Sequence, residues 1–437
     1  MPLRKVVFWI HLACGLSAGV VILMMSATGV LLMYEKQLEE WSDRRYWSAP
    51  ADPGARAPIS VLLDAARAHD PGAEPTGVTL HAADDGPAAV TRRGQPVLYL
   101  DPSTAEVRGE ATTAMRSFFG VVTGWHRWFN ITGEGRTAAR AVTGWSNLVF
   151  LFLVVSGIYL WFPRRWRWQH FRPVLLFTPG ARGKARDFNW HHVFGFWAAL
   201  PLALIVASAT VISFPWASDL AYRVMGDEPP VRRAPAPPPA APASPPVAAA
   251  DESDAPDVVP FDPRALDALA AVAIDRVPGW RTITFPIPAE RGDPVAVRID
   301  EGWGGQPQLR HTVTYDPLTG RETAYIGFQD QSKGARLRSY LRFAHTGEYH
   351  GLLGQTVAGI ASLAGVFLVW TGFALAWRRL VSPLFPLGAR SATVHSAVRR
   401  SRPEGGDPSA FRPEIEDPSR HRHRRRRLVR GEHRDRS

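Results

Sequence analysis

Six of the 14 histidines in this 437-residue chain stand where an imidazole is costly to keep. His11, His191 and His192 lie inside long apolar runs, and His126, His345 and His350 stand just before or at the start of two others. An ionisable group held in hydrocarbon is a functional candidate by default, because burial without a role is selected against by its desolvation cost. The chemistry open to a set of neutral imidazoles is ligation of a transition metal. With Glu348 nearby in sequence, His126, His345 and His350 form a donor set suited to a bare zinc, copper or iron ion. Cys14 is the only cysteine, which rules out a disulfide framework and any cysteine-built zinc or iron–sulfur site. No Gly-rich dinucleotide fingerprint, phosphate-binding loop or nucleophile–base constellation accompanies the histidines.

The elements that must position these residues are four runs free of Asp, Glu, Lys and Arg: 6–34, 141–163, 188–218 and 349–377. Each exceeds the roughly 20 residues a helix needs to cross a bilayer. The first is longer than a cleaved signal-peptide core and is expected to be retained. Several of the 16 Trp residues, among them Trp9, Trp125, Trp128 and Trp190, flank the runs as interface anchors would. Arg4 and Lys5 precede the first run, a basic loop over 164–187 joins the second to the third, and Arg378 and Arg379 follow the fourth. These clusters share one side of a four-span topology, which predicts both termini in the cytoplasm. The segments 35–140 and 219–348 then face outward, into the periplasm of a bacterial inner membrane.

Both outer segments repeat one order of parts. In the first, a helical pattern over Ile59 to Ala68 precedes alternating stretches and closes on Asp101-Pro102-Ser103-Thr104; a pre-helix over 115–131 carries His126. In the second, a Pro/Ala-rich linker over 219–260 is expected to be extended and mobile. A helix over Ala265 to Asp275, strands, and Asp316-Pro317-Leu318-Thr319 follow within 261–348. The spans repeat as well, with a Gly four residues after His11 and after His191. The expected fold is a four-helix transmembrane bundle with two small α+β periplasmic domains, one per half. The net charge of +11 is concentrated in the tail over 378–437. That tail is expected to be disordered and cytoplasmic, next to anionic lipid, with no folded reader module that would point to nucleic acid.

The opening His11-Leu12-Ala13-Cys14-Gly15, the Trp125-His126-Arg127 element, the close of the second span at Gly157-Ile158-Tyr159-Leu160-Trp161, and His345-Thr346-Gly347 together resemble the PepSY-associated transmembrane family. The two outer blocks resemble PepSY domains, and the resemblance covers about residues 1–385. It implies similarity to bacterial inner-membrane reductases that free iron from ferric siderophores and that contain haem.

Facing histidines of a helical bundle can serve as axial ligands of haem b. His11 is paired with His191 at the cytoplasmic level, with His192 as the alternative about 100° around the helix. His126 is paired with His345 at the outer level, with His350 as the alternative. Two haems about 20–25 Å apart along the axis are expected. Arg127 and Arg342 are candidate partners of the propionates. The expected partners are membrane lipid, a ferric siderophore or other ferric complex, and a cytoplasmic or quinol electron donor. The competing expectation is a non-catalytic module that binds a peptidase, peptide or metal ion outside the membrane.

Overall fold

The structure is a computed structural model that describes residues 2–52, 56–162, 167–231 and 260–384. Most of the Pro/Ala-rich linker, Arg164 and Arg165, and the tail after 384 lie outside the described residues. In chain order the helices and strands are α1 (Pro2–Leu31), α2 (Glu35–Ser42), α3 (Ile59–His69), β1 (Pro75–His81), β2 (Ala88–Arg92), β3 (Gln95–Leu100), β4 (Val107–Glu110), α4 (Thr113–Trp128), α5 (Gly135–Trp161), α6 (Trp168–Leu175), α7 (Gly183–Ser213), α8 (Pro215–Val224), α9 (Arg264–Arg276), β5 (Thr282–Pro286), β6 (Val295–Asp300), β7 (Arg310–Tyr315), β8 (Glu322–Ile326), α10 (Lys333–His345) and α11 (Gly351–Leu380).

Among the described residues, helices α1, α5, α7 and α11 are the four elements long and apolar enough to cross a membrane. They pack in the cyclic order α1–α5–α7–α11, so α1 lies diagonally opposite α7. Helix boundaries differ from the apolar runs where water, not lipid, satisfies the end groups. α7 begins at Gly183, before the apolar run, and stops at Ser213 because Pro215 cannot donate back into the helix and opens α8 instead. The loop before α7 also folds α6, held by the buried Asn189, whose amide donates to the carbonyls of Pro173 and Leu176.

Close approach of α1 and α11 depends on small residues. A Cβ on Gly365 would stand 2.8 Å from Ser26 Oγ, nearer than real Cβ atoms come. Two buried amides pin the bundle, one in each half. Asn147 of α5 donates to Val206 O and Thr210 Oγ1 of α7, both at 3.0 Å. Gln355 of α11 donates to Met33 O at 2.9 Å, beside the end of α1. In hydrocarbon such side-chain bonds have no water to compete with them.

The two outer blocks are joined, which the expectation of two small domains does not include. All eight strands form one antiparallel-paired sheet in the order β4-β3-β2-β1-β5-β6-β7-β8. The seam is β1 against β5, with Val78 opposite Phe285 and Thr79 opposite Thr284. Pairing removes two open edges that separate four-stranded blocks would expose. One face of the sheet is covered by α3 and α9. Their contact is fixed by Asp267, which accepts from the Ser60 N–H at 2.9 Å and the Ser60 hydroxyl at 2.6 Å. The core beneath is continuous across the seam: Leu62, Leu63, Val78 and Leu98 from the first half meet Leu266, Leu269, Ile283 and Phe285 from the second. Each such fully buried side chain contributes roughly 1.5–3 kcal/mol.

Candidate functional site

The helices that carry the histidines are set by the sheet and by their own ends. α2 continues the direction of α1 to Asp43, a buried carboxylate. Asp43 accepts from the Thr112 N–H at 2.8 Å, from Arg116 at 2.7 Å and from the Tyr99 hydroxyl at 3.0 Å. This joins the exit of α1 to β3 and to the start of α4, so that α4 runs back along α1 with His126 near its C-terminus. In the second half, the Ser332 hydroxyl caps α10 by accepting from the Ala335 N–H, and α10 runs back along α7 to His345. Gly347 then turns the chain into α11 at φ 77°, and a Cβ there would overlap the backbone of Gly354.

Four imidazoles reach the bundle interior, at two levels. His11 Nδ1 is 2.8 Å from Ser156 Oγ of α5, and His191 Nδ1 is 2.9 Å from Thr371 Oγ1 of α11. At the sheet side, His126 Nδ1 is 2.9 Å from Thr28 Oγ1 of α1. His345 Nδ1 donates to Ile205 O of α7 at 2.9 Å and lies 3.5 Å from Ser208 Oγ. The spacing along the diagonal helices is identical. His11 to Thr28 and His191 to Ser208 are both 17 residues, or about 25 Å of helical rise.

The sheet-side pair is directly juxtaposed: the His126 and His345 ring centroids are 6.3 Å apart with the planes inclined at 56°. Two metal–nitrogen bonds of about 2 Å on opposite sides of one ion, plus the radius of each ring, give about 6 Å between centroids. The spacing therefore fits bis-imidazole ligation of a single metal. The contacts to Ser156, Thr28, Thr371 and Ile205 are all made through Nδ1, the ring nitrogen not needed for ligation at Nε2. All four keep part of their surface accessible although they lie within the bundle. Next to the rings the helices carry small residues. A Cβ on Gly157, Gly372 or Gly29 would touch Cε1 of His11, His191 or His126 at an ordinary 3.6–3.7 Å. Gly15, one turn beyond His11, faces open space.

The alternatives fall elsewhere. His192 donates to Phe188 O of its own helix at 2.8 Å and lies against the Phe188 ring. His350 is exposed, beside Tyr340 and Tyr349. Glu348 pairs with Lys36 at 2.9 Å. Among the described residues no three His, Cys, Asp or Glu side chains converge as a bare-ion cage requires, so His126, His345, His350 and Glu348 are not assembled as one. Arg127 adjoins His126 in sequence; its guanidinium and that of Arg136 lie over the Trp128 ring at 5.0 and 4.1 Å. Arg342, one turn before His345, lies over Phe343.

Sequence reasoning missed the hydroxyls. Its available signal was a Ser/Thr-Gly step at the same place in both halves, Ser156-Gly157 and Thr371-Gly372. Also missed was Asp187, a buried carboxylate one turn before His191 that pairs with Arg186 at 2.9 Å and with Arg378 of α11.

A family model described as the PepSY-associated TM region matches residues 8–379, a range that takes in all four spans and the whole sheet. No curated protein matches the chain.

Proposed function

The chain belongs to the family of the PepSY-associated TM region, and on that premise we propose that it carries electrons across a bacterial inner membrane to reduce a ferric complex, such as a ferric siderophore, on the sheet side. The observation that carries this reading is the pair of imidazole levels: four rings, two per level, each with Nδ1 engaged by a hydroxyl or carbonyl of another helix. A peptidase- or peptide-binding module has no use for His11 and His191 at the level remote from the sheet.

His11 with His191, and His126 with His345, would hold two haem b groups. Haem at these positions supplies one-electron chemistry, one electron for each Fe(III) reduced to Fe(II), drawn from a flavoprotein or a quinol. The protein's own part is positional and electrostatic. α1 and α7 fix the two levels about 25 Å apart by helical rise. The neutral imidazoles present Nε2, the nitrogen suited to ligation. Arg127 and Arg342 place cations at the sheet-side level, where propionates or an anionic ferric complex would sit. Arg4, Lys5, Lys184, Arg378 and Arg379 belong to the opposite ends of the spans, which supports a cytoplasmic side there.

The test is the optical spectrum of the detergent-purified protein, oxidised and dithionite-reduced, with a pyridine haemochrome count. A b-type spectrum with about two haems per chain is expected. H11A or H191A should remove one haem and H126A or H345A the other, whereas H192A and H350A should leave both. A protein with no Soret band after expression with ample iron and haem precursor overturns the proposal and favours the binding module.

A further inference from the structure

The hydroxyls beside the four rings have a shared geometry that goes beyond packing. A serine or threonine hydroxyl has one proton. Thr28 directs it to Met24 O at 2.7 Å, Thr371 to Phe367 O at 2.7 Å, Ser156 to Leu153 O at 3.3 Å and Ser208 to Ile205 O at 2.8 Å. Each target is a carbonyl of the same helix, three or four residues back. With the proton spent there, the oxygen can only accept from the imidazole nearby. At Thr28 and Thr371, whose carbonyl contacts are short, the Nδ1 atoms of His126 and His191 must therefore carry hydrogen, and the lone pair is left on Nε2; at Ser156 the His11 contact is the shorter of the two, and the same tautomer is assigned to His11 from its place in the repeat. His345 reaches the same state through the Ile205 carbonyl at 2.9 Å, which cannot donate at all; His126 and His191 have a backbone partner of this kind as well, at Met25 and Leu368, beside the hydroxyl.

Back-bonding of Ser and Thr to their own helix is common and by itself implies nothing. Here it occurs on four different helices, and in all four the free side of the oxygen faces a histidine from another helix. The halves match: Ser156 stands to His11 as Thr371 to His191, and Thr28 to His126 as Ser208 to His345.

We infer that Ser156, Thr371 and Thr28 are positioning residues that fix the ligand tautomer and orientation of His11, His191 and His126, and that the Ile205 carbonyl does this for His345. The inference rests on the haem reading above and deepens it. An acceptor on Nδ1–H makes the imidazole a stronger donor at Nε2. A stronger donor favours the ferric over the ferrous state, so each hydroxyl lowers the potential of its own level. Without the acceptor the ring is free to turn and the ligand weakens.

The experiment uses the full-length purified protein and its S156A, T371V, T28V and S208A variants, with T371S and T28S as conservative controls. Release of haem to excess apomyoglobin and the midpoint potentials are read for each. S156A is expected to lose haem from the affected level about tenfold faster or more, with the potential of that level raised; T371V and T28V should shift in the same direction by less, since His191 and His126 keep their backbone partners at Leu368 and Met25. The Ser-for-Thr controls should match wild type. S208A should be close to wild type, since the Ile205 carbonyl remains. Wild-type behaviour of all three hydroxyl-deleted variants overturns the inference while leaving the haem reading intact; a wild-type protein without haem overturns the function instead. Nitrogen-15 spectra of histidine-labelled, haem-free protein read the tautomer whatever the cofactor and whether or not a variant folds. Nδ1-protonated rings at His11, His126, His191 and His345 support the assignment, and Nε2-protonated rings overturn it.

Discussion

Asp101 and Asp316 hold the same turn in the two halves, yet the structure gives them different weight. Asp316 is partly exposed and accepts from the Leu318 N–H at 2.9 Å and the Thr319 hydroxyl at 2.8 Å. Asp101 is buried and accepts from the Ser103 N–H and hydroxyl, the Thr104 N–H and Arg108. Burial alone would raise its pKa; those hydrogen bonds outweigh it and hold the carboxyl well below the ordinary range. The sign follows: the stabilisation is fully present above the unfolded carboxyl value near pH 4. It is lost as the pH falls through the depressed folded value. D101N is therefore expected to cost about 2 kcal/mol at neutral pH. The deficit should shrink in acid, and D316N should cost less; thermal unfolding of the purified protein across pH 3–7 checks both. The matching Asp-Pro-x-Thr turns were legible as a repeat, because turn chemistry is local. That one carboxylate is buried under Arg108 and the other is not was illegible, because it turns on a single residue of the next strand: Arg108 of β4 stands where β8 has Thr323.

Helices and strands show where pattern suffices and where it does not. Uncharged runs of 23 or more residues identified all four spans, since lipid imposes one requirement on the whole element. The faces they present to one another depend on single residues. Gly365 of α11 is such a residue: G365V would drive two methyls toward Ser26 of α1 and should cost about 1–3 kcal/mol by overpacking. G15A, facing open space, is expected to be neutral for folding, and the difference is measurable as thermal stability in detergent. Asp43 acts at the junction of α2, β3 and α4. Replacing it by alanine leaves Arg116 without its partner and should cost about 3 kcal/mol. Because α4 carries His126, D43A should also, on the proposed function, loosen haem at the sheet-side level before the other. α2, α6, α8 and α10 escaped the sequence reading, since short amphipathic helices at an interface leave no long apolar run, and the start signals at Pro215 and Ser332 are short-range cues that many turns share.

For the whole molecule, the proposed orientation puts the basic ends of α1, α7 and α11 on one side of the membrane and the sheet on the other. A membrane-impermeant thiol reagent applied to spheroplasts should label T323C on exposed β8 and spare K184C at the start of α7, in a C14A background; the reverse pattern would invert the topology. The histidine levels were legible before the structure because burial cost makes an intramembrane imidazole conspicuous. The seam between β1 and β5 was not, because each strand alternates like any half-buried strand and nothing local names its partner. That seam has a consequence for how the chain is made. Thr79 and Thr284, hydrogen-bonded to each other across it at 3.0 Å, are 205 residues apart. At a synthesis rate of about 5–20 residues per second, the first four strands wait roughly 10–40 s for their neighbour. Two further helices must enter the membrane in that interval while the β1 edge stays open to any extended peptide nearby. Biogenesis, more than the finished fold, is then where this protein is exposed to aggregation. A chaperone or a transient partner that shields β1 would act only during those seconds.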